Sequence, residues 1–349
     1  MINEIPTNTV ICGDVLETMK GFPNNAIDCI MTSPPYYHLR DYGFPGQWGL
    51  EKTYQEYLDK MIYFMAECKR VIKPTGSIWI NLGDSYSTNS GSMKQNKIKY
   101  TGAIDGYGKE ANNFPDKSLM LIPHRFAIRC VDELGLALRN DIIWAKPNAM
   151  PESVTDRFSK KHEFIFFFVK SKNYYFDLDS TREKCVNAYG KNPGDVADFW
   201  NITTKGSSEK HYATFNSELI DKPIIAGCPE FVCNKCGEAR KKIVKTKSIP
   251  TRPNISSKYD NIKSAPLNGK SHSAKVRNMP VKISETVIDC GCNAGFSGGI
   301  ILDPFAGTGT TLIRASELGR NVIGIEGNKE YHKIASDWLN KQLLQEKLF

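Results

Sequence analysis

The sequence lacks any apolar run of the ~18 residues that a membrane-spanning helix requires. The longest conspicuous run covers only residues 164–169. The first residues, MINEIP, have neither the basic start nor the apolar stretch of a secretory signal peptide. No internal repeat stands out. These absences argue against membrane and secreted proteins and predict a soluble protein of the cytoplasm.

The chain does contain enough apolar material for a large core. Of its 349 residues, 40% are hydrophobic and 11% are aromatic, which excludes a disordered chain. At about 150 residues per domain, the length predicts one large domain or two.

The excess of positive charge arises in one stretch. The net charge of +8 arises within residues 237–289, which contain 12 Lys or Arg and 4 Asp or Glu, while the rest of the chain is balanced. Such a stretch is either a solvated loop or a surface that binds nucleic-acid phosphates. Under the second interpretation the candidate binding residues are Lys241, Lys242, Lys245 and Lys247.

Four of the ten cysteines form two close pairs, Cys233 with Cys236 and Cys290 with Cys292. Since no export signal is present, disulfides are not expected. CxxC followed by CxC suits a closed, structural four-thiolate zinc site, and Cys228 is an alternative ligand. A redox CxxC motif and unbound thiols are the other interpretations. If zinc is bound, the basic stretch is a loop whose two ends are held together by the metal.

Apolar periodicity predicts alternating strands and helices. Strands are expected over 26–32, 77–82, 137–144, 164–169, 299–302 and 321–325. Helices are expected over 54–71, 118–134, 310–318 and 329–344. This alternation is typical of a parallel α/β sheet. Residues 83–116 are predicted to be a long loop, and 171–210 irregular chain.

The segment DPFAGTGTT, residues 303–311, joins a predicted strand to a predicted helix. Gly307 and Gly309 allow a tight turn and a close approach to a ligand. Glu326 ends the next strand, where a carboxylate can accept hydrogen bonds from both ribose hydroxyls of a nucleoside cofactor. An acidic Asp303 would repel a pyrophosphate and attract a cation, so the motif favours S-adenosylmethionine over NAD. The alternative is an ordinary tight turn.

The segment TSPPYY, residues 32–37, follows another predicted strand. Together with DPFAGTGTT, it resembles the amino-methylating DNA methyltransferases. The order, SPPY first and DPFAGTG last, is similar to that of their permuted beta group. The resemblance implies an S-adenosylmethionine-dependent methyltransferase fold, with a permuted, mostly parallel central sheet, helices on both faces, an inserted zinc-ribbon-like element and DNA-recognition segments.

The resemblance also implies how the SPPY loop works. Ser33 and the Pro34 carbonyl would accept hydrogen bonds from an exocyclic amine, Pro35 would make the loop rigid, and Tyr36 would stack on a base flipped out of the duplex. The amine would then attack the methyl group directly and in line. Relatives with SPPY mostly methylate cytosine N4, whereas those with DPPY usually methylate adenine N6. Ser33 therefore favours cytosine, with adenine as the alternative.

Further cofactor-binding residues follow from the family pattern. These are Asp14, Phe215, Asp303, Phe305, Gly307, Gly309, Thr310 and Glu326. In the family, the acid at Asp14 accepts from the cofactor's adenine amino group, and the aromatic at Phe215 packs on the cofactor. A helix cap for Asp14 and plain core packing for Phe215 remain the alternatives.

The expected partners are double-stranded DNA and, functionally, a cognate restriction endonuclease in a prokaryotic or phage setting. RNA methylation and a catalytically inactive zinc-dependent DNA-binding protein are the alternative functions. The expected organisation is a catalytic half over 1–170, a target-recognition segment over 171–210, a cofactor-packing segment over 211–232, a zinc-binding insert over 233–292 and a cofactor-binding half over 293–349.

Overall fold

The structure, a computed structural model, describes residues 5–87, 114–181, 197–204, 216–251 and 277–346. The strands are β1 (Thr9–Cys12), β2 (Ile27–Thr32), β3 (Ile72–Leu82), β4 (Ala137–Ala145), β5 (His162–Val169), β6 (Phe199–Asn201), β7 (Val232–Cys233), β8 (Lys241–Thr251), β9 (Arg277–Ile288), β10 (Phe296–Ser297), β11 (Ile300–Asp303) and β12 (Asn321–Glu326). The helices are α1 (Val15–Lys20), α2 (Tyr54–Val71), α3 (Ile122–Asp132), α4 (Ser217–Gly227), α5 (Thr310–Glu317) and α6 (Lys329–Glu346).

Eight strands form one sheet in the order β1-β12-β11-β2-β3-β5-β4-β6. All neighbours pair in parallel except β5, which runs antiparallel to both β3 and β4. The predicted mostly parallel sheet is therefore confirmed. The last two strands of the chain, β11 and β12, lie between the first two, β1 and β2.

The two faces of the sheet carry separate cores. Strand β3 shows the alternation that produces them, because Ile78 and Ile80 face one core and Trp79 faces the other. Residues of α1, α2 and α3 belong to the first core, and residues of α4, α5 and α6 to the second. Helices therefore cover both faces, as the sequence predicts.

Helix α2 has the predicted bounds, since its apolar residues recur at helical spacing and its start is capped. Thr53 accepts a hydrogen bond from the Glu56 amide at 3.1 Å. Helix α3 begins at Ile122, four residues after the predicted start. Both oxygens of the Asp84 carboxylate accept from amides there, those of Leu121 and Ile122, at 3.0 and 3.1 Å, and Pro123 occupies the first turn.

The basic stretch is in part a two-stranded ribbon rather than the predicted loop. Strands β8 and β9 pair antiparallel from Lys241 opposite Ile288 to Thr251 opposite Arg277. Residues 252–276 lie outside the described residues. The insert that contains this ribbon begins after α4 and ends where the chain enters the sheet again at β11. Its base lies at the amino ends of the parallel strands, where the Gly299 amide donates to the Pro229 carbonyl at 2.9 Å.

Part of the predicted target-recognition segment belongs to the sheet. Strand β6 pairs with β4, and its Trp200 is buried. The rings of Tyr174 and Phe176 pack against Phe167 with centroids 5.7 and 5.5 Å apart. Residues 182–196 and 205–210, like 88–113 of the predicted long loop, lie outside the described residues. A recognition role for 182–196 and 205–210 stays a prediction.

Within the described part of the chain, no helix combines the length and the apolar character needed to cross a membrane.

Candidate active site

The carboxyl ends of the parallel strands surround a cavity of about 860 Å³. Among the segments that line it are four that the sequence singles out: the chain after β1, the SPPY loop after β2, the loop after β11, and the end of β12. Carboxyl ends of parallel strands are where α/β sheets bind ligands. The structure thus brings both predicted motifs to one site.

Glu326 ties the loop after β11 to the end of β12. Its Oε2 accepts from the Gly307 amide at 2.8 Å, and its Oε1 accepts from the Asn328 amide at 2.7 Å. Gly307 has a φ of +54°, which L side chains rarely adopt. Burial raises the pKa of Glu326 to about 7, and the nearby charge of Asp303 adds to the rise. Both Gly307 and Glu326 line the cavity.

Asp303 lies beneath this loop and is not among the described residues that line the cavity. Its side chain is 1% exposed, and its carboxylate accepts from the Phe305 amide at 3.1 Å. Burial raises its pKa to about 6, although the neighbouring hydroxyls of Thr32 and Thr311 lower it in part. Asp303 therefore holds the loop through this bond, and its contact with a cationic ligand stays a prediction.

Gly309 likewise supports the site from outside it. Its φ is +89°, it caps α5, and a Cβ there would lie 3.0 Å from the Cβ of Ala335 on α6. Two predicted neighbours, Phe305 and Thr310, do line the cavity. The Phe305 ring packs edge-on against Trp48, with centroids 5.1 Å apart.

Asp14 lines the cavity and also caps α1. One oxygen, Oδ1, accepts from the amides of Leu16 and Glu17 at 2.9 and 3.1 Å. The helix-cap alternative is thus observed, and the cofactor role of Asp14 stays a prediction. Phe215 lies outside the described residues. The next residue, Asn216, caps α4 through a 3.1 Å bond from the Glu218 amide.

All four residues of the SPPY loop line the cavity. The Ser33 Oγ lies 3.3 Å from the Asn81 carbonyl oxygen, 3.4 Å from Asn81 Oδ1 and 3.4 Å from the Tyr36 hydroxyl oxygen. The Pro35 carbonyl accepts from the Tyr57 hydroxyl at 2.9 Å, which attaches the loop to α2.

Tyr36 connects the loop to a polar network that sequence reasoning did not assign. Its hydroxyl donates to Glu163 Oε2 at 2.7 Å and lies 3.0 Å from Asn81 Oδ1. The other oxygen of Glu163 pairs with the ammonium of Lys146. Burial and the Glu163 charge raise the pKa of Tyr36 well above its usual value. The segments that contain Lys146 and Glu163 resemble the family's but carry no assigned role, and each partner of Tyr36 stands at a strand end on this side of the sheet.

Arg40 is a second residue that the sequence did not indicate. It lines the cavity, and its Nη1 is buried without a hydrogen-bond partner among the described residues. A buried guanidinium nitrogen without a partner costs free energy until an acceptor reaches it. The cavity therefore offers a donor suited to the carboxylate of a bound ligand.

The two cysteine pairs meet in the insert. The Sγ atoms of Cys233, Cys236, Cys290 and Cys292 all lie within 4.8 Å of one another. Amides of the CxxC turn hydrogen-bond to Cys233 and lower its pKa to about 6. The two halves are also joined by β7 with β10 and by a bond from the Asn234 amide to the Gly295 carbonyl at 3.2 Å.

Cys228 is not part of this cluster. It is fully buried in the second core, and its carbonyl accepts from the Arg320 guanidinium at 3.1 Å. The alternative ligand is therefore excluded by position. Lys241, Lys242, Lys245 and Lys247 lie on β8, whose backbone alone is described, and their DNA-binding role stays a prediction.

Comparison with known families decides the classification. The profile of the DNA methylase family, of the N6/N4 methyltransferase type, matches residues 27–337. The chain belongs to this DNA methylase family. The match spans both motifs of the methylase cavity and the insert between them.

Curated relatives agree with this. The methylase is 32% identical over 336 residues to the Type II methyltransferase M.XycI of Xanthomonas campestris pv. cyanopsidis, covering 96% of this chain and 88% of that protein. It is 30% identical to the Type II methyltransferase M.SmaI of Serratia marcescens, covering 94% and 89%.

Solved structures show the same fold. The cytosine-N4-specific PvuII DNA methyltransferase aligns with a TM-score of 0.54 at 17% identity, over 96% of this chain and 92% of that one. TTHA0409 of Thermus thermophilus, solved in complex with S-adenosyl-L-methionine, aligns with a TM-score of 0.52 at 19% identity, over 96% and 93%.

Proposed function

We propose that this methylase transfers a methyl group from S-adenosylmethionine to the exocyclic N4 amine of a cytosine in duplex DNA, at a specific site. The observation that carries the proposal is the shared cavity. Gly307 of the loop after β11, Glu326 at the end of β12 and Ser33 of the SPPY loop line one space, so a cofactor and a flipped base can meet there.

The cavity suits the charges and hydroxyls of S-adenosylmethionine. Glu326 faces it as an acceptor for ribose hydroxyls, and the unpartnered Nη1 of Arg40 suits the carboxylate. The bound cofactor supplies an electrophilic methyl group. The chain's own part is to hold the amine. Ser33 Oγ and the Pro34 carbonyl accept hydrogen bonds from its two N–H groups, which frees the nitrogen lone pair for attack.

Two observations favour cytosine over adenine. Ser33 stands where adenine-methylating relatives usually have Asp, and the PvuII enzyme, which has the same fold, is cytosine-N4-specific. Adenine N6 is the alternative. The Type II relatives further support a role beside a cognate restriction endonuclease.

We also propose that the cysteine cluster binds one structural zinc ion. Four thiolates around zinc, with bonds of about 2.3 Å, place their sulfur atoms about 3.8 Å apart. The observed limit of 4.8 Å between the four sulfur atoms fits this arrangement.

Transfer of labelled methyl from S-adenosylmethionine to duplex DNA tests the function. Nucleoside analysis of the product should show N4-methylcytosine, and sequencing of the modified bases should give the site. Ser33→Ala should lower the single-turnover rate far more than DNA affinity. N6-methyladenine would select the alternative base, preferential labelling of RNA would select RNA methylation, and no transfer to any nucleic acid would select the inactive DNA-binding scaffold.

A further inference from the structure

The Ser33 hydroxyl is surrounded by acceptors. Two of its three near neighbours, the Asn81 carbonyl oxygen at 3.3 Å and Asn81 Oδ1 at 3.4 Å, carry no proton. The amide orientation of Asn81 is set by its Nδ2, which donates to the Phe164 carbonyl at 3.0 Å. Both Asn81 oxygens can therefore accept a hydrogen bond from Ser33, but neither can donate one.

The third neighbour, Tyr36, is also an acceptor towards Ser33. Its single proton has three possible acceptors: Glu163 Oε2 at 2.7 Å, Asn81 Oδ1 at 3.0 Å and Ser33 Oγ at 3.4 Å. The carboxylate is the strongest and the closest of the three. With that proton committed to Glu163, only lone pairs of the Tyr36 oxygen face Ser33. The other oxygen of Glu163 pairs with the Lys146 ammonium.

We propose that Glu163 acts as a specificity-determining positioning residue: by holding the Tyr36 proton, it keeps Tyr36 from donating to Ser33, so that Ser33 donates to Asn81 and presents only lone pairs to the cavity. A Ser33 oxygen of this polarity accepts from an amino group and repels a carbonyl oxygen at the same ring position. The loop thereby selects cytosine over uracil, or adenine over hypoxanthine. The inference rests on the proposed function but holds for either target base.

Glu163→Gln should reverse the direction of the hydrogen bond that the Ser33 hydroxyl offers to the cavity. The amide introduced by this substitution would turn its oxygen towards the Lys146 ammonium and its NH₂ towards Tyr36. Tyr36 would then accept from the amide and be free to donate to Ser33, whose own proton could point into the cavity. Tyr36→Phe should not reverse it, because Asn81 still offers Ser33 only acceptors.

The test measures duplex affinity in the presence of S-adenosylhomocysteine, with the target base or its carbonyl counterpart at the methylated position. The amine-to-carbonyl preference of the wild type should fall at least tenfold in E163Q and stay near the wild-type value in Y36F. The double variant E163Q/Y36F should recover the preference, which simple structural damage cannot produce. Asp221→Asn breaks a partly buried ion pair with Arg314 outside the cavity and serves as the matched control.

An E163Q variant that keeps the wild-type preference, or a double variant that stays as unselective as E163Q, would overturn the inference. Both results are interpretable only on an active enzyme. Failure of the wild type to methylate DNA would instead overturn the proposed function, so the two failures are distinguishable.

Discussion

At the scale of single residues, the site depends on carboxylates that accept hydrogen bonds from the backbone amides of its loops. Asp303 is buried beneath the loop after β11 and accepts a hydrogen bond from the Phe305 amide of that loop. Glu326 faces the cavity but uses one lone pair of each oxygen on backbone amides. Such groups support a binding site before any ligand arrives, which lowers the cost of ordering it on binding.

Gly83 offers a direct test of how tightly Tyr36 is held. A Cβ at this position would lie 2.7 Å from Tyr36 Cε2, so Gly83→Ala must displace the ring. A shift of about 1 Å should lower the single-turnover methylation rate by about 10²-fold. Gly21→Ala, whose new Cβ would meet only the Thr18 carbonyl at 3.4 Å, is the control. An unchanged rate in Gly83→Ala would show that the Tyr36 position is not critical.

The buried carboxyl of Glu326 predicts a pH dependence of stability. Its pKa is about 7 in the folded protein and near 4.5 when unfolded, so between these values the folded state binds the extra proton. The free energy of unfolding of the ligand-free protein should therefore fall as pH rises from about 4.5 to 7. Thermal melts across this range should show a shallower fall for Glu326→Gln. Parallel curves for the two proteins would contradict the raised pKa.

The same ionisation predicts how cofactor affinity responds to pH. An ionised carboxylate is the stronger acceptor for ribose hydroxyls, so the affinity for S-adenosylmethionine should rise as pH increases through about 7. Calorimetry at several pH values measures this directly. Glu326→Gln should bind more weakly at pH 8 and lose most of the dependence; a variant with the wild-type profile would assign the titration to another group.

At the scale of secondary-structure elements, prediction succeeded where packing and local pattern agree. Helix α2 was predicted to the residue because its apolar face and the Thr53 cap carry the same signal. Strand β1 was missed because its four residues are too few for a periodic pattern. Helix α4 was missed because Pro223 lies inside it, and its Asn216 cap was not recognised.

The residues of the candidate site likewise divide into those that local sequence predicts and those that only the fold brings together. Motif residues such as Ser33 and Glu326 were found because their spacing is local. Glu163 and Asn81 were not assigned because 127 and 45 residues separate them from Tyr36 along the chain, and only the sheet brings them together. The β8–β9 ribbon was missed because Lys, Ser and Pro in its strands resemble loop composition.

The β8–β9 ribbon tests whether the basic stretch binds DNA. Eleven residues at about 3.3 Å each give β8 a reach of about 36 Å from its base. Changing Lys241, Lys242, Lys245 and Lys247 to Gln should weaken binding to all duplex sequences and flatten its salt dependence, while the single-turnover rate at saturating DNA stays the same. Lys20→Gln and Lys333→Gln, at exposed lysines elsewhere, are the controls. An unchanged salt slope would leave the ribbon as solvated surface.

At the scale of the whole molecule, the base of the insert and the catalytic cavity lie at opposite ends of the parallel strands. The insert leaves and rejoins the chain at the amino ends of the strands, whereas the cavity lies at their carboxyl ends. Metal binding and methyl transfer should therefore be separable.

Zinc should copurify at about one ion per chain, as measured by elemental analysis. Cys236→Ser should release it and lower the midpoint of thermal unfolding, because metal-binding free energy contributes to folding. Affinity for S-adenosylmethionine should change little, since the cavity contains none of the four cysteines. Absence of zinc from freshly purified protein would contradict the metal site, and the cysteines would then be a redox pair or unbound thiols.

The strand order has a consequence for synthesis on the ribosome. Because β11 and β12 lie between β1 and β2, the strands made first cannot take their places in the finished sheet until the strands made last have emerged. At about 5–20 residues per second, the SPPY loop exists for many seconds before Glu326 is translated. A nascent or prematurely terminated chain therefore carries the base-binding loop without a cofactor site. Only a chain that has inserted its final strands has both the base-binding loop and the cofactor site in one cavity.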